Sequence, residues 1–486
     1  MPRRRTIAVL TAGLLALGAG GYVAADVYDL APGVLTLDEP VDPDTLPEPD
    51  VEPEPEASGL VPLPVPAVAE PLAAPVVEAP VPDPEGVRLA MEEVLTHPGF
   101  YGSAVVVVAD GSTGEILYAR DPDRAVAPAS VQKLLSGAAV LASLDPMSRF
   151  TTSAVRSGPE RITLVAGGDT MLARGPGDPD VVEGHAGLGD LAEQVIASLT
   201  ESADPPAQVT VDIDMSYAAG PRYSPLWNME DIRFGYNQGV TMIGLQGQRP
   251  LPFQPSPEEP EKEAVAAFAA ALTAAGLPAA VAEEPVLPGP VEGVQLGAVE
   301  SATVQAITEL ALDDSDNALT EALTRQASFR AGGPTDFAGV ADWVVEQVAA
   351  LGVDVAGAEL LDTSGMTYDQ LLPARVVSDL LTLITTGAEP RLTSLVADLP
   401  VAGLDGTLAG RYLGSETSTA AGFTRAKTGT INATAALAGT TLSRDGRLLT
   451  FVVIADAVPR EGRLEARLAL DRLATALTEC GCHAPL

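Results

Sequence analysis

The sequence predicts an α+β fold, an antiparallel sheet flanked by helices and interrupted by an inserted accessory domain. Three observations carry that expectation. Apolar, β-branched runs stand early in the chain and again near its end, so that distant strands meet in one sheet. Segments with helical spacing fill the middle. A stretch of roughly 151–289 breaks the pattern, with short strands and turns between two helical pieces of the main unit.

Taken in order, residues 1–25 read as a targeting segment. Arg3, Arg4 and Arg5 precede an apolar run over 6–25, and Val23-Ala24-Ala25 offers small residues ahead of Asp26, as in a signal peptide. The run is also long enough to stay as a signal anchor if it is not cut. Either way the chain is expected to be exported to the cell envelope or beyond, meeting a membrane only through this segment. Residues 26–86 carry 15 prolines and 15 acidic residues without one Lys or Arg. Such a segment cannot bury enough apolar surface to offset its ordering entropy, so it reads as a disordered spacer. Folded structure is expected from about Gly86.

The run SAVVVVA at 103–109 reads as a strand, 110–114 as a turn and 115–119 as the returning strand. After Ala127-Pro128-Ala129, residues 130–144 have helical spacing. Within the insertion, 162–165 and 208–213 read as strands and 261–275 as an alanine-rich helix. Helices follow at 302–312 and, after 313–317, on to about Ser328. Strands at 435–442 and 448–456 turn around Arg444-Asp445-Gly446, and an amphipathic helix at 461–480 closes the chain. Cys480 and Cys482 could pair with each other, stay free or link two chains, and nothing suggests a catalytic thiol.

Lys and Arg total 28 against 66 Asp and Glu, a formal charge of −38. A polyanion of this size repels phosphate backbones, which excludes nucleic acid as a partner. Three histidines (His97, His185 and His483) and two cysteines cannot build an ordinary structural zinc site. Among the basic residues, 25 are arginine and only three are lysine: Lys133, Lys262 and Lys427.

Three short motifs stand in order. Ser130-Val131-Gln132-Lys133 opens a helix, Ser315-Asp316-Asn317 lies between helices, and Lys427-Thr428-Gly429 leads into strands. One helical turn separates Ser130 from Lys133, so both point the same way. A serine hydroxyl is a poor nucleophile until a neighbouring base takes its proton. No histidine lies in any motif, so the base must be a lysine whose pKa is lowered by burial or nearby positive charge. Arginine cannot take the part, because it does not deprotonate. The chain thus keeps lysine where an amine must lose a proton and where a compact cation is wanted. Alone, each motif has a plain reading: an accidental S-x-x-K, an ordinary N-cap at S-D-N, a simple turn at K-T-G. Their joint occurrence in this order argues for a site. Lys262, in the charged run PEEPEKE, reads as a solvated surface residue.

The trio is the signature of penicillin-binding proteins and class A β-lactamases. On it, the sequence resembles the penicillin-recognising D-alanyl-D-alanine carboxypeptidase/endopeptidase family, whose members carry a large insertion after the nucleophile helix. The resemblance runs from about 87 to 475, and the 185 positions from Ser130 to Ser315 exceed what a β-lactamase has. Gly167-Gly168-Asp169, Tyr236-Asn237, Asp362-Thr363-Ser364-Gly365-Met366 and 399–408 (LPVAGLDGTL) also look like that family, with Asp362-Thr363 in place of the more usual Asp-Gly.

The resemblance implies a penicillin-binding-protein/serine β-lactamase-like transpeptidase fold, with a catalytic domain at 87–150 plus 290–486 and the accessory domain at 151–289. It implies Ser130 as the acylated nucleophile, Lys133 as its base, Ser315 as the proton relay to a departing D-alanine, and Asn317 as the residue that orients the substrate amide. Lys427, Thr428, Gly429 and Thr430 would bind the terminal carboxylate, and backbone N–H groups of Ser130 and Thr430 would form an oxyanion hole. The implied partners are peptidoglycan stem peptides, with β-lactams as inhibitors, and neither a metal nor an organic cofactor is called for. Strand alternation puts Arg425 on the face of Lys427, where it either backs the carboxylate or is plain surface. A β-lactamase is a rival, but no Glu-x-x-Leu-Asn lies between the first two motifs. A non-catalytic or esterase-like secreted wall protein of the same fold is the other alternative.

Overall fold

The computed structural model describes residues 79–251 and 253–481. The targeting segment, the spacer up to residue 78 and Cys482 lie outside the described residues. Ordered structure starts earlier than Gly86. Asp83 caps a helix over Pro84–Val94 (α1), its carboxylate accepting from the Gly86 N–H at 3.1 Å, and α1 buries Val87 and Met91. Ala79 is buried, and its carbonyl accepts from Arg447. The C-terminal end of the expected spacer therefore belongs to the fold. Proline in a first helical turn behind an Asp N-cap is a helix start as well as linker chemistry.

Strands Ala104–Asp110 (β1) and Ile116–Arg120 (β2) come next, then helix Lys133–Ser143 (α2), entered through a 3₁₀ turn at Ala129–Gln132. The chain continues through Arg149–Gly158 (β3), Arg161–Val165 (β4), Leu188–Thr200 (α3), Val209–Asp214 (β5), Pro260–Ala274 (α4), Ala279–Leu287 (β6) and Val294–Thr303 (β7). Longer helices follow at Val304–Asp313 (α5), Asn317–Arg330 (α6), Phe337–Ala350 (α7) and Ala374–Thr385 (α8). Strands Arg425–Ile431 (β8), Ala433–Leu442 (β9) and Leu448–Val458 (β10) precede the last helix, Arg463–Glu479 (α9).

One five-stranded sheet runs β8-β9-β10-β1-β2, antiparallel throughout, so the first and last strands of the main unit do meet. A second runs β6-β5-β4-β3-β7, antiparallel around β3 and parallel across β4, β5 and β6. Because β7 pairs with β3, placing Thr152 opposite Val299, this sheet uses residues up to 303. The boundary expected at 289 falls inside it. Pro288-Gly289-Pro290 looks like a domain edge in the sequence but only connects β6 to β7.

The main sheet is covered on both faces, which explains why β1 is buried at every position. Val105 and Val107 point to one side with α2, α5, α7 and α8, while Val106 and Val108 point to the other with α1 and α9. Helix α2 lies inside the first of these cores and is buried nearly all round, through Leu134, Leu135, Ala138, Ala139 and Leu141. The Ser130 turn at its start is thereby anchored to that core. The second sheet packs a separate core with α3 and α4, including Leu191, Val195 and Phe268.

Candidate active site

Ser130 sits in the 3₁₀ turn and Lys133 is the first residue of α2. Ala129, just before the serine, has φ 50°, a left-handed conformation that costs a non-glycine residue. Two glycines let other elements press on this turn. A Cβ at Gly365 (φ 82°) would come within 2.1 Å of the Ala129 carbonyl oxygen, and one at Gly429 would come within 3.1 Å of the Ser130 nitrogen. Glycine at these positions brings the 362–366 loop and β8 against the serine from two sides.

Lys133 is fully buried, and its Nζ donates to Ser130 Oγ at 2.9 Å, to Asn317 Oδ1 at 2.6 Å and to the Ser364 carbonyl at 2.6 Å. Burial pushes its pKa down to about 8, against the nearby charges of Asp362, Asp316 and Glu321, which favour the ammonium. Asn317 Nδ2 donates to the Tyr236 carbonyl at 2.8 Å, so one orientation of the amide satisfies both ends. Asp316 caps α6, accepting from the Leu319 N–H at 2.9 Å, and pairs with Arg249 at 2.8 Å. The plain N-cap reading thus holds for Asp316, while Ser315 (φ 56°) and Asn317 on either side of it line the cleft.

Lys427 is fully buried as well, and its Nζ donates to the Thr428 carbonyl at 3.0 Å. Burial pushes its amine well below the ordinary value, and Lys133 adds to the effect, with Asp313 opposing. Each buried amine disfavours the charge of the other. Thr428 Oγ1 donates to Thr407 Oγ1 at 3.0 Å, tying β8 to the 399–408 stretch.

A cleft of about 1060 Å³ is lined by Ser130, Ser315, Asn317, Thr428 and Thr430, with both lysines beneath its surface. Its opposite wall comes from the insertion, including Tyr236 and Phe253. Arg425 is exposed and donates to the Ala397 carbonyl at 2.7 Å, the plain surface role. The arginines that line the cleft are Arg249, Arg460, Arg463 and Arg467.

Sequence reasoning gave no role to two buried carboxyls around the lysine. Asp362 accepts from the Gly365 N–H (2.9 Å), the Thr367 N–H (2.7 Å) and hydroxyl (2.6 Å), Gln370 Nε2 (2.9 Å) and Trp227 Nε1 (3.0 Å). Glu321 accepts from the Thr363 N–H (2.9 Å) and hydroxyl (2.7 Å) and from the Ser364 N–H (2.9 Å). Spacing was the available signal for Glu321, which stands one helical turn after Asn317.

The profile of the D-Ala-D-Ala carboxypeptidase 3 (S13) family matches residues 87–249 and 245–477. Carboxypeptidase DacB of Mycolicibacterium smegmatis is 34% identical over 434 residues, covering 88% of this chain and 92% of that protein. A carboxypeptidase of Mycobacterium tuberculosis is 33% identical over 412 residues, covering 83% and 86%. Among solved structures, penicillin binding protein 4 (dacB) from Haemophilus influenzae shares the fold, with a TM-score of 0.64 and 18% identity over 80% of this chain and 98% of that one. With one family profile spanning both sheets and relatives matched over most of their length, the chain belongs to the D-Ala-D-Ala carboxypeptidase 3 (S13) family of peptidases.

Proposed function

We propose that this peptidase hydrolyses the terminal D-alanyl-D-alanine bond of peptidoglycan stem peptides through an acyl-enzyme on Ser130, which β-lactams also acylate. The observation that carries the reading is the surrounding of Lys133 Nζ. An ammonium donates three hydrogens, matching its three acceptors here. A neutral amine keeps two, and Asn317 Oδ1 and the Ser364 carbonyl can only accept. The lone pair is then left for the Ser130 hydroxyl, which makes Lys133 a directed general base.

In this mechanism Ser130 Oγ attacks the scissile carbonyl while its proton passes to Lys133 Nζ. The N–H groups of Ser130 and Thr430 hold the oxyanion. As the intermediate collapses, the proton held by Lys133 passes through the Ser315 hydroxyl to the nitrogen of the departing D-alanine, which leaves Lys133 neutral and Ser315 protonated. Water then attacks the ester, with Lys133 again as base. Asn317 fixes Lys133 and marks the position of the substrate amide. Thr428 and Thr430 take the terminal carboxylate, and Gly429 keeps β8 close to the serine. Lys427 acts from below: an arriving carboxylate favours its ammonium and relieves the conflict between the two amines. The spread of the cleft over the insertion leaves room for a second peptide, which favours DD-endopeptidase activity as the second reading. Export to the envelope through residues 1–25 brings the enzyme to such substrates.

The test compares a soluble peptide ending in D-Ala-D-Ala with the same peptide carrying a C-terminal amide, following D-alanine or D-alaninamide release. Amidation is expected to remove most of kcat/KM for the wild type and much less for Lys427→Ala. An equal loss in both enzymes contradicts carboxylate reading by Lys427, and no release from either peptide contradicts the peptidase assignment.

A further inference from the structure

We propose that Glu321 is a positioning residue for this reaction: its carboxyl clamps the Thr363-Ser364 backbone so that the Ser364 carbonyl fixes the direction of Lys133 Nζ. The inference rests on the reading of Lys133 as the base of Ser130. Three observations support it. First, one oxygen of Glu321 accepts from the N–H groups of both Thr363 and Ser364, each at 2.9 Å, while the other accepts from the Thr363 hydroxyl at 2.7 Å. That hydroxyl is also 2.8 Å from Thr324 Oγ1, one turn further along α6. Second, Ser136 on α2 donates its hydroxyl to the Thr363 carbonyl at 2.6 Å, and Gln132 donates to the Asp362 carbonyl. The segment is held from α6 on one side and from α2 on the other. Third, α6 carries both Asn317 and Glu321, so one rigid helix supplies the first acceptor of Lys133 directly and the second through the loop.

The carboxyl also acts through its charge. A buried anion near Lys133 keeps the proton on the amine. The charged groups facing Lys133 are Asp362 from the loop, Asp316 and Glu321 from the start of α6 and α6 itself, and Lys427 from β8. Those facing Glu321 are Asp362, Lys133 from α2 and, on its own helix, Arg325. Burial raises the carboxyl of Glu321 to about 7, with Asp362 adding to the rise and the Thr363 and Ser364 donors opposing it. The negative charge of Glu321 is among those that hold the proton on Lys133, whose amine stands at about 8. A residue that merely filled space would leave that titration where it was.

Substitution by Gln separates clamp from charge. In Glu321→Gln the new carboxamide can present its oxygen to the two backbone N–H groups and its NH₂ to the Thr363 hydroxyl, with no negative charge left. The experiment follows the rate of acylation by a chromogenic cephalosporin against pH for the wild type, Glu321→Gln and Glu321→Ala. For Glu321→Gln, the ascending midpoint is expected to fall by about half a pH unit or more, so that the rate at low pH relative to its own plateau rises about threefold. For Glu321→Ala, the plateau itself is expected to fall about tenfold or more, as the Ser364 carbonyl loses its anchor. A Glu321→Ala plateau equal to that of the wild type overturns the clamp, and a Glu321→Gln midpoint equal to that of the wild type, or one shifted upward, overturns the part played by its charge even if Glu321→Ala fails to fold. Failure of the wild type to be acylated at Ser130 would instead overturn the underlying reading of the site.

Discussion

Lys133 has three acceptors around a buried amine, and a substitution that preserves charge but not basicity isolates the part it plays. Lys133→Arg keeps a cation at the start of α2, yet a guanidinium does not deprotonate. It is expected to lower the acylation rate about a hundredfold or more, nearly as much as Lys133→Ala, and stopped-flow acylation by a β-lactam measures this. The wild-type rate should depend on pH in a definite sense. Below about 8 the amine of Lys133 holds its proton and has no lone pair to offer, so acylation is slow. As pH rises through that value the base is set free and the rate climbs to a plateau; a rate falling through the same interval would contradict the assignment. That Ser130, Lys133 and Asn317 lie together was legible in the sequence, because their motifs stand in order and one helical turn separates Ser130 from Lys133. The burial of Glu321 and Asp362 was not: the spacing from Asn317 puts Glu321 on the same helix face, but it does not tell a buried carboxylate from the exposed acids that dominate this chain.

At the scale of elements, the site is a junction of α2, α6, β8 and the 362–366 loop, and glycines set how closely they meet. Gly365 combines a left-handed φ of 82° with a Cβ position 2.1 Å from the Ala129 carbonyl oxygen. Gly365→Ala is therefore expected to cost about 1–3 kcal/mol of stability. It should also displace the nucleophile turn enough to slow acylation about tenfold or more, with thermal melting and labelling kinetics as the two readouts. Strand and helix identities were largely readable: the SAVVVVA run becomes β1, and the alternation near the C-terminus becomes β9 and β10. Helices α7 and α8 escaped notice because they carry none of the motifs. The boundary at 289 missed β7 because pairing with β3, some 140 positions earlier, leaves no local trace.

At the scale of the whole molecule, α1 packs with α9 on the face of the main sheet away from α2. Deleting residues 1–78 is expected to leave the melting temperature and activity of the remaining chain unchanged. Deleting residues 1–95 removes α1, with the fully buried Val87 and Met91, and should cost roughly 3–6 kcal/mol. Equal melting temperatures for the two truncated chains would show that α1 only rests on the surface. The proposed function turns on one covalent event, the transfer of an acyl group to Ser130. The most direct measurement is to incubate the protein with benzylpenicillin, digest it and locate the adduct by peptide mass spectrometry. A single penicilloyl group on Ser130, absent from a folded Ser130→Ala protein, is the expected result; an adduct on Ser315 or another residue, or undiminished labelling of Ser130→Ala, would contradict it.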